Sequence, residues 1–193
     1  MTQSLSNRRA GAILLCAVVA LSGCAAQTRY GDARDVETVT NQFGSTDLQM
    51  IAESMTRSML NTPLASGETR PIMTVQEVKN KTSEYIDTRA ITDSIRVELQ
   101  KSGRVRFAVD AAAMDQQVEE LKRQQSDYYD AKKSVEVGKM VGAAYRIEGN
   151  ITSIVKEAKG VKDVYYKFSL QVWNVQNGLL EWADEKEIRK TTS

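Results

Sequence analysis

Tyr145-Arg146-Ile147-Glu148-Gly149-Asn150-Ile151-Thr152-Ser153-Ile154-Val155 is the stretch that decides the fold class. Tyr145, Ile147, Ile151, Ser153 and Val155 alternate with Arg146, Glu148, Asn150 and Thr152, the period of two that buries one side of a strand and leaves the other wet. Val164, Tyr166, Phe168, Leu170 and Val172 repeat that period. Asn177-Gly178 is a strong hairpin signal, and Leu180 and Trp182 begin a final strand. Three strands are expected at this end of the chain, the last two joined as a hairpin.

Upstream, the period is helical. Thr46-Asp47-Leu48-Gln49 fits a capping box, and Leu48, Ile51, Ala52, Met55 and Met59 share a face, so a first helix should end near Pro63. Met50, Met55 and Met59 are read as core filling in preference to an adaptable binding surface. Pro71 to Val78 reads as a strand, followed by the polar turn Asn80-Lys81-Thr82-Ser83. A second helix begins at Asp87, carries Ile91, Ile95 and Leu99 on one stripe, and stops at Gly103; Arg104 to Val109 is a strand. Asp110 caps a third helix with Met114, Val118 and Leu121 inward, and a fourth places Val137, Met140, Val141 and Ala144 on one face. The order α-β-α-β-α-α-β-β-β predicts an α/β (α+β) fold: a single domain with a mixed or antiparallel sheet of about four to five strands, flanked by helices on one or both faces.

The N-terminus has a different character. Asn7-Arg8-Arg9 is a positive start, Ala12 to Leu21 is uncharged and apolar, and Leu21-Ser22-Gly23-Cys24 reads as a lipoprotein processing site. The apolar run falls short of the roughly 20 residues a membrane span needs. Residues 1–23 are therefore expected to be a lipoprotein signal peptide, with Cys24 the lipidated first mature residue; an ordinary secretory signal with a chance cysteine is the alternative. Several acyl chains on Cys24 would anchor stably where one binds marginally. No aspartate follows Cys24 to signal retention at the inner membrane, so the domain is expected on the outer membrane, facing the periplasm. Residues 24–44 are polar and are expected to be a flexible tether, with the globular domain over residues 45–193.

Composition removes most catalytic chemistry. The chain has no histidine, and its second cysteine, Cys16, lies inside the expected signal. Zinc sites built on Cys or His, Ser-His-Asp and Cys-His nucleophiles, and c-type haem attachment are excluded from the mature chain. Carboxylates remain, but Glu119-Glu120 and the group Asp184, Glu185, Glu187 look like solvated faces. Gly138 and Gly142 lack Walker spacing and are read as close-packing positions in the fourth helix. The formal charge is +1, and removal of Arg8 and Arg9 with the signal takes it just below neutral, which gives no case for nucleic acid. No cofactor, metal or small-molecule substrate is expected.

Phe43-Gly44-Ser45-Thr46-Asp47-Leu48 after a lipobox, then a strand into Val78-Lys79-Asn80-Lys81-Thr82, resembles the LpoB family of lipoproteins. The likeness continues through Leu99, through Lys101-Ser102-Gly103-Arg104-Val105-Arg106-Phe107-Ala108-Val109, and through Val141-Gly142-Ala143-Ala144-Tyr145 into a strand reaching Gly149. It ends with the Leu170 to Trp182 hairpin, so it covers about Phe43 to Ile188. The resemblance implies a TolB-N-like domain and a non-enzymatic activator that docks on the small regulatory domain of a bifunctional class A penicillin-binding protein and stimulates peptidoglycan synthesis. It also implies a docking surface at the turn, here Asn80, Lys81 and Thr82, with Tyr85 and Arg146 as neighbouring candidates. Lysine stands at 81 where the family has arginine, which removes a planar bidentate contact. Asn80 and Thr82 have a second explanation, since both are residues that build turns through side-chain to backbone bonds. The family's long proline-rich tether has no counterpart, because the only prolines are Pro63 and Pro71. The GA-Y-x-x-x-G passage also occurs in curli-secretion and TolB-like domains, so a secretion-linked assembly module is the alternative function, and a carboxylate enzyme acting on cell-wall material is a third.

Overall fold

The alternating C-terminal half forms a long antiparallel meander, β4 (Tyr145–Ala158), β5 (Val161–Asn174) and β6 (Leu180–Thr192). The computed structural model describes residues 28–193; the signal segment, Cys16 and Cys24 lie outside them. The chain divides into two units, Met1–Asp35 and Val36–Ser193. In the described part of the first, Asp32 makes a small turn, accepting from the Arg34 amide at 2.8 Å and, through its carbonyl, from the Asp35 amide at 3.2 Å.

In the second unit, β4 and β5 pair without interruption from Tyr145 opposite Asn174 to Ala158 opposite Val161. Both strands run further than the apolar alternation. They are joined by Lys159-Gly160, whose φ angles of 50° and 80° match a two-residue turn with the twist of the strands it links. At the other end, the expected tight Asn177-Gly178 hairpin is a wider loop: Asn174 N–H donates to the Leu179 carbonyl at 2.8 Å, and Gly178 N–H to the Asn174 carbonyl at 2.9 Å.

The far edge of β4 is paired in two pieces. β1 (Ile72–Val75) lies parallel with Val75 opposite Ile147, and β2 (Lys79–Lys81) lies parallel with Asn80 opposite Ile151. β3 (Arg106–Phe107) pairs parallel with β1. The result is a mixed, six-stranded sheet in the order β3-β1-β4-β5-β6, with β2 beside β4. The strand expected from Pro71 to Val78 is thus broken, and Asn80 and Lys81 belong to its second piece instead of the turn. Lys-Asn-Lys has no apolar alternation to mark a strand, yet its backbone bonds to β4 do not depend on side chains. The break lies level with Gly149, where an added Cβ would stand 2.2 Å from the Ser169 carbonyl oxygen and 3.0 Å from the Leu170 side chain.

α1 (Ser45–Leu60) begins at Gly44, two residues earlier than expected, because the Asp47 carboxylate accepts the Gly44 N–H at 2.9 Å. A single turn, α2 (Pro63–Ser66), follows. α3 (Thr88–Lys101) is capped by Asp87, which accepts from the Ala90 amide at 3.1 Å. Ile51, Met55 and Met59 from α1 and Ile91, Ile95 and Leu99 from α3 share one core with Ile147, Ile151, Tyr166, Phe168, Leu170 and Val172. These strand residues all belong to one phase of the alternation. Met55 and Met59 are core as expected, whereas Met50 is on the surface.

Two helical expectations need correction. α4 (Ala111–Gln124) forms and is capped by Asp110 at 3.0 Å from the Ala113 amide, but Met114, Val118 and Leu121 are only half-buried. The fourth helix is absent: Val137, Met140 and Val141 are exposed, and Gly138 sits at φ +81°, a conformation that interrupts a right-handed helix. Ala144 is drawn instead toward the sheet, its N–H donating to the Ile72 carbonyl at 2.9 Å.

Replacing Gly149 by valine should destabilise the domain by about 1–3 kcal/mol, since the backbone of β5 must move to admit the side chain. The measurement is the urea midpoint, with an unchanged denaturant slope showing that the fold persists.

Candidate functional site

β2 delivers the chain into a tight turn that is held by its own side chains. Asn80 Nδ2 donates to the Glu84 carbonyl at 2.8 Å, and Asn80 Oδ1 accepts from the Thr82 amide at 2.9 Å and the Thr82 hydroxyl at 2.8 Å. Thr82 Oγ1 in turn accepts from the Glu84 N–H at 3.2 Å. Asn80 and Thr82 therefore spend their hydrogen bonds building the turn. What the turn presents is different: Lys81 is exposed with no partner among the described residues, and Tyr85 is 94% exposed.

Asn80 and Thr82 are joined to one another and to Glu84, and Lys81 and Tyr85 are exposed beside them along the chain. Arg146 does not join them. It stands on β4 opposite Thr74 and Trp173, whereas Lys81 is opposite Thr152, so the two lie roughly 20 Å apart along the strand. Arg146 pairs with Glu148 at 3.4 Å.

The turn is anchored from beneath by Glu84. One carboxylate oxygen accepts from the Tyr166 hydroxyl and the other from the Phe43 N–H at 3.0 Å. That hydroxyl also lies 2.9 Å from the Asn41 carbonyl, and the Phe43 ring meets the Tyr166 ring edge-on at 5.8 Å. Burial, reinforced by the Glu84 carboxylate, holds the Tyr166 phenol well above its usual range and keeps it neutral. Alongside, Lys190 donates to the buried Asp47 carboxylate and to the Gln42 carbonyl at 2.7 Å.

These bonds correct the expected extent of the tether. Residues 37–43 form a strap fastened to the domain, and Glu37 closes it at the helix start, accepting from the Thr46 amide at 3.2 Å and the Ser45 hydroxyl at 3.0 Å. Composition did not reveal the strap because its polar residues are held through backbone carbonyls and a carboxylate, with Phe43 alone contributing a large apolar side chain.

Residues that sequence reading missed lie beside the turn. Lys79, Glu148, Asn150, Ser169 and Gln171 line, together with the expected Lys81, an open groove of about 180 Å³ across β2, β4 and β5. The alternation of Lys79 and Lys81 was visible in the sequence, but the register that brings Asn150 and Gln171 to them was not. Among the described residues, no group of three Cys, His, Asp or Glu side chains is placed to hold a metal, and no helix is long and apolar enough to cross a membrane.

The family model described as the peptidoglycan-synthase activator LpoB matches residues 47–188. This chain belongs to the LpoB family. Solved structures similar to it include the LpoB C-terminal domains of Salmonella enterica and Escherichia coli, each 17% identical, covering 74% of this chain and 98% of theirs, with TM-scores of 0.45. The lipoprotein GNA1162 of Neisseria meningitidis is 16% identical over 63% of this chain and 84% of its own, with a TM-score of 0.38. No curated protein matches the chain. The match to the LpoB family spans α1, the turn, the groove and most of the meander.

The strap should respond to acid. Hydrogen bonds from the Ser45 and Thr46 backbone hold Glu37 below its ordinary 4.5, so its contribution is present above that value and is lost as pH falls through the lowered one. Protection from hydrogen exchange over residues 37–43, taken relative to the intrinsic rate at each pH, should fall through that window in the natural chain, and Glu37→Gln should show lower protection at neutral pH with the acid step removed.

Proposed function

We propose that this protein is an outer-membrane lipoprotein, anchored through Cys24, that binds a bifunctional class A penicillin-binding protein through that enzyme's regulatory domain and stimulates its glycan polymerisation and peptide crosslinking. The observation that carries this is the family match over residues 47–188. The surface suits contact regulation: a turn prebuilt by Asn80 and Thr82 holds Lys81 and Tyr85 outward, so little order must be gained on docking. Tyrosine supplies large contact area at low entropic cost, as the anchors of protein interfaces do. Arg146 lies outside this turn and has no assigned role in it.

Stimulation requires unequal binding. A partner that met the active and inactive synthase equally would shift nothing, whereas inverting a 1:99 population takes roughly 10⁴-fold preference for the active form. The strap also sets the reach: from Cys24 to Val36 the chain extends roughly 40 Å at most, so the domain's own attachment point stays within that distance of the membrane and the partner is met one domain length further out.

The test is glycan polymerisation and crosslinking by the host's purified class A synthases, with and without the soluble chain from Val36. Both activities should rise with one synthase, and Tyr85→Ala should raise the half-maximal concentration about tenfold. No rise with any synthase, by a folded protein, would reject the activator role.

A further inference from the structure

The groove beside the turn has an unbalanced set of free groups. Its acid, Glu148, is held by Arg146 at 3.4 Å, and the Ser169 hydroxyl is engaged by Glu185 at 2.9 Å. Lys79 and Lys81 have no ion pair, and the side-chain amides of Asn150 and Gln171 have no hydrogen bond, to any described residue. Two cations and two amides are therefore left to bind something from outside.

Their spacing narrows what that is. Lys79 and Lys81 flank Asn80 and line the same groove, so their attachment points lie roughly 7 Å apart, the repeat of side chains on one face of an extended strand. Carboxylates at alternate positions of an extended peptide match that repeat, and the Asn150 and Gln171 amides offer donors and acceptors to its peptide groups. Lys81 lines the groove and is the last residue of β2 before the turn.

We propose that the groove receives an extended acidic segment of the synthase, with side chains of Asp or Glu two residues apart on Lys79 and Lys81 and main-chain groups on Asn150 and Gln171. This rests on the activator role and names the chemistry of the partner's side. Exposed lysines act chiefly by steering and by excluding wrong partners, so the signature is a salt-sensitive association.

The experiment measures binding of the full-length lipoprotein in detergent to each purified class A synthase at about 50 and about 300 mM salt. Wild type should lose affinity steeply with salt; Lys79→Glu with Lys81→Glu should weaken binding about 100-fold and flatten that dependence. Lys79→Gln with Lys81→Gln serves as the milder pair, and Asn150→Ala with Gln171→Ala should cost about tenfold with the salt dependence kept. Thermal unfolding checks that each variant is folded. Synthase binding unchanged in both lysine pairs overturns the groove assignment while leaving the activator role standing. Purified peptidoglycan that binds wild type and loses binding in the lysine pairs, with synthase binding unchanged, also overturns it in favour of the wall polymer. No synthase binding by wild type overturns the activator role and this inference with it.

Discussion

Burial on one phase of the β4–β5–β6 meander is the constraint from which the rest of the domain follows. Ile147, Ile151, Val164, Tyr166, Phe168, Leu170 and Val172 are buried, while Glu148, Asn150, Lys167, Ser169 and Gln171, in the opposite phase, stay partly exposed. A one-residue slip would exchange the two sets, so the register is strongly specified. The apolar stripes of α1 and α3 then have one surface to cover, and the polar phase is left to carry the groove.

Within that core sits a polar clamp. Tyr166, Glu84, Asp47 and Lys190 are satisfied by one another and by carbonyls or amides of Asn41, Gln42, Phe43 and Gly44. Buried charges and hydroxyls are tolerated only when their bonds are complete, and removing one partner strands the others. The same network fastens the strap, the start of α1 and the turn after β2. Through Glu84 the turn is tied to the core, although it projects from a three-residue edge strand.

The family to which this chain belongs is described as one of peptidoglycan-synthase activators. Around the turn this chain offers a shape and a charge pattern held in place: two turn-building residues, one exposed tyrosine, and lysines with no partner among the described residues. The exposed segment with Val137, Met140 and Val141 has no such support. Its helical spacing in sequence is unrealised because Gly138 breaks the helix and the chain must straighten to enter β4.

The sequence alone determined the alternation of the three C-terminal strands, the helices α1 and α3 with their buried stripes, and the helix starts at Asp87 and Asp110, because periodicity and capping depend on residues close along the chain. It misled where side-chain pattern and backbone pairing part company. Lys79-Asn80-Lys81 is a strand with no strand-like pattern, and residues 137–144 have a helix-like pattern with no helix. Only the tertiary structure decided that residues 37–43 are a fastened strap, that Arg146 stands apart from the turn, and that Lys79, Lys81, Asn150 and Gln171 meet in one groove. Each of those depends on register and on hydrogen bonds between residues distant in the chain, and such contacts leave no local periodicity to read.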